Sequence, residues 1–159
     1  MSINSKFISL KEYIPLGSPT LSNFSLNTKK IHLENNDDVL VKNEWISVDP
    51  YMRARMTEGK NYLPPYELNK PMLGAAIGKV QESNSNSFTK GDIVFSENGW
   101  RDYFIEASNK LQKIEHNNFP IQTYLGPLGM TGHTAYIGLF KIGNLKEKQT
   151  ILVSSAAGS

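Results

Sequence analysis

The sequence contains no cysteine, which excludes disulfides, thiolate metal ligands, iron–sulfur clusters and thiolate catalysis together. Histidine is also scarce: His32, His116 and His133 are scattered, with no Glu or His at recognised ligand spacing. No resident metal is therefore expected, and His133 reads as a helix-surface or packing residue. Charge of one sign is equally thin. Lys+Arg 17 against Asp+Glu 15 leaves a formal net charge of +2, and like charges run no further than Lys29-Lys30 and Asp37-Asp38. Neither nucleic acid nor an anionic membrane is an expected partner. No stretch approaches the roughly 20 apolar residues of a membrane-spanning helix. The opening Met1-Ser2-Ile3-Asn4-Ser5-Lys6 lacks the basic start and apolar run of a secretory signal. These absences lead to the expectation of a soluble, cytoplasmic protein.

What is present is enough apolar material for one core, with 39% hydrophobic residues in a chain of 159. Residues 6 to 33 are short apolar fragments broken by Pro15, Gly17 and Pro19, which suits an edge strand, a turn and a second strand. The polar cluster 34–38 leads into Val39 to Val48, a β-rich run with imperfect alternation that predicts a long strand with a bulge. Asp49-Pro50 stops it, because proline brings no donor to a ladder. Gly74 to Val80, Ile93 to Ser96 and Leu111 to Ile114 read as further strands. Asn98-Gly99 before the aromatic-rich run Trp100 to Glu106 predicts a hairpin with the strand preceding it.

The pattern changes near residue 121. Ala135, Leu139 and Ile142 fall on one helical face, with Thr131 or Thr134 as the cap and Gly143 as the stop. Thr150-Ile151-Leu152-Val153 is wholly apolar, as expected for a parallel strand buried on both faces. The small residues Ala156-Ala157-Gly158-Ser159 follow it. A strand running into a tight small-residue turn is how dinucleotide-binding units begin, since bulky side chains would keep backbone amides away from a pyrophosphate. Packing alone also ends strands in small residues. Because the helix and partner strands of such a unit are absent, the chain reads as part of a longer protein.

Two blocks carry a resemblance. Trp45-Ile46-Ser47-Val48-Asp49-Pro50-Tyr51-Met52-Arg53-Ala54-Arg55-Met56 is similar to the signature of one zinc-independent branch of the medium-chain dehydrogenase/reductase superfamily. That branch contains prostaglandin reductases, leukotriene B4 12-hydroxydehydrogenases, plant alkenal double-bond reductases and bacterial curcumin reductases. Leu125 to Tyr136 resembles the same branch's helix entry, and Thr150 to Ser159 its first nucleotide-binding strand and turn. Weaker echoes at Tyr62 to Leu68 and Lys90-Gly91-Asp92 extend the likeness over most of the chain from about residue 35. Thr131 stands where the branch usually has proline, and Ser155 where it often has alanine or glycine.

The resemblance implies a β-rich, partly open GroES-like barrel followed by the first strand of a truncated Rossmann domain. Residues 1–120 would form the substrate domain, 121–148 a connecting helix and turn, and 149–159 the start of the NADP-binding domain. In the family the C-terminal segment returns to the first domain. The implied activity is NADPH-dependent reduction of the C=C bond of an enal or enone, small molecules being the only partners beyond a homodimer through the Rossmann domain. An NADPH quinone oxidoreductase of the same superfamily and a catalytically silent GroES-like scaffold are the alternatives. The resemblance places Tyr51 and Tyr62 on the substrate side, Met130 and Thr134 near the nicotinamide, and Ala156, Ala157, Gly158 and Ser159 at the pyrophosphate. Each has a plainer reading. Tyr51 and Tyr62 suit half-wet packing, Met130 an apolar filler and Thr134 a capping hydroxyl. Arg53 and Arg55 read as solvated or paired with Asp49 or Glu58 and are left outside the site.

Overall fold

The computed structural model describes residues 2–115 and 118–155. The chain opens with an antiparallel hairpin of β1 (Ser2–Leu10) and β2 (Phe24–His32), in register from Ser2 opposite His32 to Leu10 opposite Phe24. Pro15, Gly17 and Pro19 occupy its connection, as their lack of strand character requires. Gly17 sits at φ 82, a left-handed value that side-chain-bearing residues rarely adopt.

The second sheet has five strands: β3 (Asp38–Ile46), β4 (Ala76–Ser83), β5 (Ile93–Ser96), β6 (Tyr103–Ala107) and β7 (Gln112–Lys113). Their order is β6-β3-β4-β5-β7 and every pairing is antiparallel. The irregularity expected in β3 is real: its register to β4 shifts between Leu40 and Val41 and again between Asn43 and Trp45. Such bulges place two residues against one and bend the strand.

The hairpin expected at Asn98-Gly99 does not form. Asn98 instead makes a parallel bridge with Gly74, and the Gly99 amide donates to the Gly74 carbonyl at 2.9 Å. Asn43 Nδ2 donates to the carbonyls of both Asn98 and Arg101, each at 2.8 Å, and Trp100 turns the chain at φ 57. These contacts carry the chain across to the far edge, where β6 pairs with β3 from Asp38–Ala107 to Lys42–Tyr103. Asn-Gly is a turn former in both cases, but a side-chain clamp from a third strand decides where the turn leads.

Two apolar clusters result. Val39, Val41, Val80, Phe88, Val94, Phe104 and Leu111 pack on the five-stranded sheet. Leu10, Ile14, Met52, Met56, Tyr66 and Met72 form the second, with Tyr51, Leu68 and Trp100 packed against it. The hairpin reaches this second cluster through the Phe7–Arg101 and Ser9–Pro71 bridges.

Beyond residue 120, α2 (Met130–Tyr136) continues as a wider π-helical turn, Ile137–Ile142, and stops at Gly143. Neither threonine caps it. Gly129 holds that position, while Thr131 Oγ1 donates to the Gly126 carbonyl and Thr134 Oγ1 to the Met130 carbonyl, so both hydroxyls bond back along the chain. Residues 150–153 are not in a strand either. Leu152 is 94% exposed, and a parallel strand has no ladder to join without neighbours; none lies beside it among the described residues.

Candidate functional site

Three chain segments meet at one corner of the five-stranded sheet. The Ser47 amide donates to the Ala75 carbonyl at 2.9 Å, and the Gly74 amide to the Glu97 carbonyl at 3.0 Å. From this corner rises the short helix α1 (Tyr51–Arg55), entered through Pro50 at φ −56, an angle already suited to a helical start. Met52 drops into the second core at 2% exposure. It fits because residue 74 is glycine: a Cβ there would lie 2.5 Å from Met52 Cε.

Tyr51 lies half-buried beside Met52 at the rim of that core. One turn on, Arg55 donates from Nε to the Pro64 carbonyl at 2.9 Å and lays its guanidinium 4.2 Å from the centre of the Tyr66 ring. Tyr66 is 2% exposed, donates its hydroxyl to the Leu73 carbonyl at 3.0 Å and receives Tyr13 on its own carbonyl. Burial pushes the Tyr66 phenol up to about 12 against the opposing pull of Arg55. The Tyr51 phenol is raised too, first by burial and then by the negative charges of Glu97 and Asp49. Glu97 is itself raised by burial, with Arg55 opposing and Asp49 adding. The corner thus keeps two phenols protonated around one guanidinium and two carboxyl groups.

A phenol held more tightly in the folded state than in the unfolded one contributes stability below the unfolded value near 10. That contribution is lost as pH rises toward 12. Folding stability is therefore expected to fall by on the order of 2 kcal/mol between pH 10 and 12. Tyr66→Phe should flatten that decline. Urea unfolding of both proteins across this window checks it, and parallel curves would dismiss the assignment.

The residues singled out in the sequence are not gathered at this corner. Tyr62 is 99% exposed and stands apart from the Tyr51 cluster. Met130 is 78% exposed, and Thr134 lies one turn further along α2, also exposed. Ala156, Ala157, Gly158 and Ser159 lie outside the described residues. The two arginines are part-exposed, as expected, but bond to neutral groups rather than to Asp49 or Glu58. Arg53 is tied to the Gly17 carbonyl and Thr57, and Arg55 to Pro64 and Tyr66. Tyr66 and Glu97 escaped the sequence reading, since neither stands at a helical or strand spacing from Tyr51 that would have flagged it. A cleft of about 530 Å³ opens between the hairpin and β6, lined by Phe7, Lys29, Arg101 and Tyr103 among others, and none of the assigned residues lines it. Among the described residues no group of three His, Cys, Asp or Glu is placed to hold a metal.

Residues 6–114 match the family described as the N-terminal domain of oxidoreductase. Over 145 residues the chain is 39% identical to the NADPH-dependent curcumin reductase of Escherichia coli, covering 91% of this chain and 42% of that protein. It is 37% identical over 163 residues to the NADP-dependent 2-alkenal reductase of Nicotiana tabacum, covering 99% and 47%. The crystal structure of CurA from Vibrio vulnificus superposes with a TM-score of 0.81 at 33% identity, covering 90% of this chain and 42% of that one. The chain therefore spans about half the length of the curated relatives it matches. Its sheet architecture is that of their N-terminal, GroES-like portion. The chain belongs to the oxidoreductase N-terminal-domain family, in the medium-chain reductase branch represented by the curcumin and 2-alkenal reductases.

Proposed function

We propose that the whole protein is an NADPH-dependent reductase of the C=C bond of α,β-unsaturated aldehydes or ketones. The observation that carries this reading is a half-buried phenol, Tyr51, held protonated on an apolar rim inside Trp45 to Met56, the motif that resembles the alkenal reductases. In this reading residues 1–120 are the substrate domain, 121–148 the connector and 149–159 the entry to the cofactor domain. Cytoplasmic residence and a homodimer built through the cofactor domain belong to the same proposal. No helix among the described residues is long and apolar enough to cross a membrane.

NADPH, when bound, supplies the reducing equivalent taken up at the β-carbon of the substrate. Met130 and Thr134 fit a place beside its nicotinamide: both are open to solvent on one helical face, the first apolar and the second with its hydroxyl lone pairs free, its proton being given to the Met130 carbonyl. Ala156 to Ser159 would approach the pyrophosphate. On the substrate side, Tyr51 offers a hydrogen bond to the carbonyl oxygen, where negative charge grows as the double bond is reduced. The core beneath it, from Met52 to Met72, keeps water from one side of the reacting carbons. Tyr62 would touch a substrate only from the outer rim.

The test is NADPH oxidation by the full-length protein with a 2-alkenal and a simple benzoquinone side by side. The alkenal is expected to be the better substrate, and a strong preference for the quinone would replace this reading. In the same protein Tyr51→Ala should lower kcat/KM for the alkenal by about tenfold or more while NADPH affinity changes by no more than about twofold. The opposite pattern would move Tyr51 to the cofactor side.

A further inference from the structure

Asn98 is the one asparagine of the chain that glycine follows. That pair is chemically fragile, because a glycine nitrogen meets no side chain of its own on the way to the asparagine Cγ. The Gly99 nitrogen gives up its proton and bonds to Cγ, ammonia leaves, and water opens the resulting cyclic imide at either carbonyl to aspartate or isoaspartate. The fold cannot avoid the pair by changing residue 99, since a Cβ there would lie 2.8 Å from the Gly74 carbonyl oxygen.

The folded chain instead immobilises the groups that this reaction uses. The Gly99 amide, which would be the nucleophile, donates to the Gly74 carbonyl at 2.9 Å. The Asn98 side chain, which would be attacked, donates from Nδ2 to Glu106 Oε2 at 3.2 Å, and the Asn98 backbone amide donates to Ser96 Oγ at 3.2 Å. Asn43 closes the arrangement by holding the Asn98 and Arg101 carbonyls, each at 2.8 Å. Between those two carbonyls Trp100 stands at φ 57, a conformation that an aromatic residue keeps only where its surroundings enforce it. Release of the Asn43 clamp therefore lets this turn relax and frees the Gly99 amide.

We propose that Asn98 is a self-modification site that the native corner holds shut, with Asn43 as its lock. Deamidation proceeds through local opening of residues 98–101, and the opened corner does not return to its starting form. The aspartyl product has no donor for Glu106, and the isoaspartyl product carries an extra main-chain carbon beside the Gly99–Gly74 contact. Gly74 is also the residue that admits Met52, the neighbour of Tyr51, so ageing at Asn98 loosens the seat of α1.

The test is peptide mapping by mass spectrometry of the full-length protein aged at mildly alkaline pH, in native buffer and in concentrated guanidinium chloride. Trypsin isolates Asn98 within residues 91–101, and within residues 80–90 it isolates Asn86-Ser87, an exposed turn that serves as the internal reference. In denaturant Asn98 should convert faster than Asn86. In the native protein the order should reverse, with Asn98 slowed by about a hundredfold or more, as for a site reached only through local opening. Asn43→Ala should speed conversion at Asn98 in native buffer by about tenfold or more, the effect of losing two hydrogen bonds, while Asn86 changes by less than about twofold. If that variant unfolded as a whole, both sites would run at their denaturant rates, and the order of the two sites in the unsubstituted protein decides. Asn98 leading Asn86 in the native unsubstituted protein overturns the proposal. So does a folded Asn43→Ala protein in which Asn98 stays as slow as before.

Discussion

Gly78→Ala is expected to destabilise the fold by about 3 kcal/mol, at the upper end of what overpacking costs. Gly78 lies in β4, paired with Asn43 of β3 on one side and Val94 of β5 on the other. A Cβ at this position would sit 2.5 Å from Val41 Cγ1 and 2.7 Å from the Lys42 carbonyl oxygen. The side-chain clash could be relieved by a rotamer change, but the carbonyl belongs to a strand paired on both edges. The two register shifts in β3 that flank Val41 to Asn43 are what bring this backbone so close. Gly138→Ala is the matched control, since nothing lies within 4 Å of its Cβ position and alanine favours helical backbone. The shift in urea midpoint at constant slope measures both. If the two variants differed by less than about 0.5 kcal/mol, the steric account of Gly78 would be wrong.

The second large effect concerns the cofactor. A protein extended to the length of the curated relatives is expected to bind NADPH at least about a hundredfold more tightly than residues 1–159 do. In the proposed reading these residues offer the nicotinamide only Met130 and Thr134. A pyrophosphate site needs, beyond the small-residue turn, a following helix whose amides and dipole face the phosphates. The apolar residues Ile151, Leu152 and Val153 are exposed at 45%, 94% and 70%, so the segment leading to that turn is not held in a sheet. Without such preorganisation, ordering it would consume much of the binding free energy. Calorimetric titration of both lengths provides the comparison. Micromolar binding by residues 1–159 would place the whole cofactor site within them and end this account.

The strands were readable where local chemistry alone decides them. Ile93–Ser96 emerges with the bounds its composition suggests, and the bulged character of β3 is visible in its broken alternation. Pairing was less readable. Asn98-Gly99 has the chemistry of a hairpin turn, and only Asn43, more than fifty residues upstream, redirects it. The caps failed for a similar reason: a threonine near a helix start has two ways to satisfy its hydroxyl, and here both threonines bond backward. Within the candidate site, the motif around Tyr51 was legible because it is continuous in sequence. Tyr66, Arg55 and Glu97 become neighbours through the Gly74–Asn98 bridge and the stacking of Arg55. Neither contact has a signature in any single stretch of residues.

The placement of β6 beside β3 also governs how the chain assembles. β4 and β5 are separated by a short loop, whereas Asp38 and Ala107 are brought together across two intervening strands of the sheet, β4 and β5. Closing so long a loop costs more chain entropy before any contact repays it. Local pairs therefore form first, and the far edge docks late. Phe104, carried by that edge, is part of the first apolar cluster, so Val39 and Val41 remain uncovered until it arrives. On a ribosome, the nascent domain cannot seal its interior until residue 107 has cleared the exit tunnel.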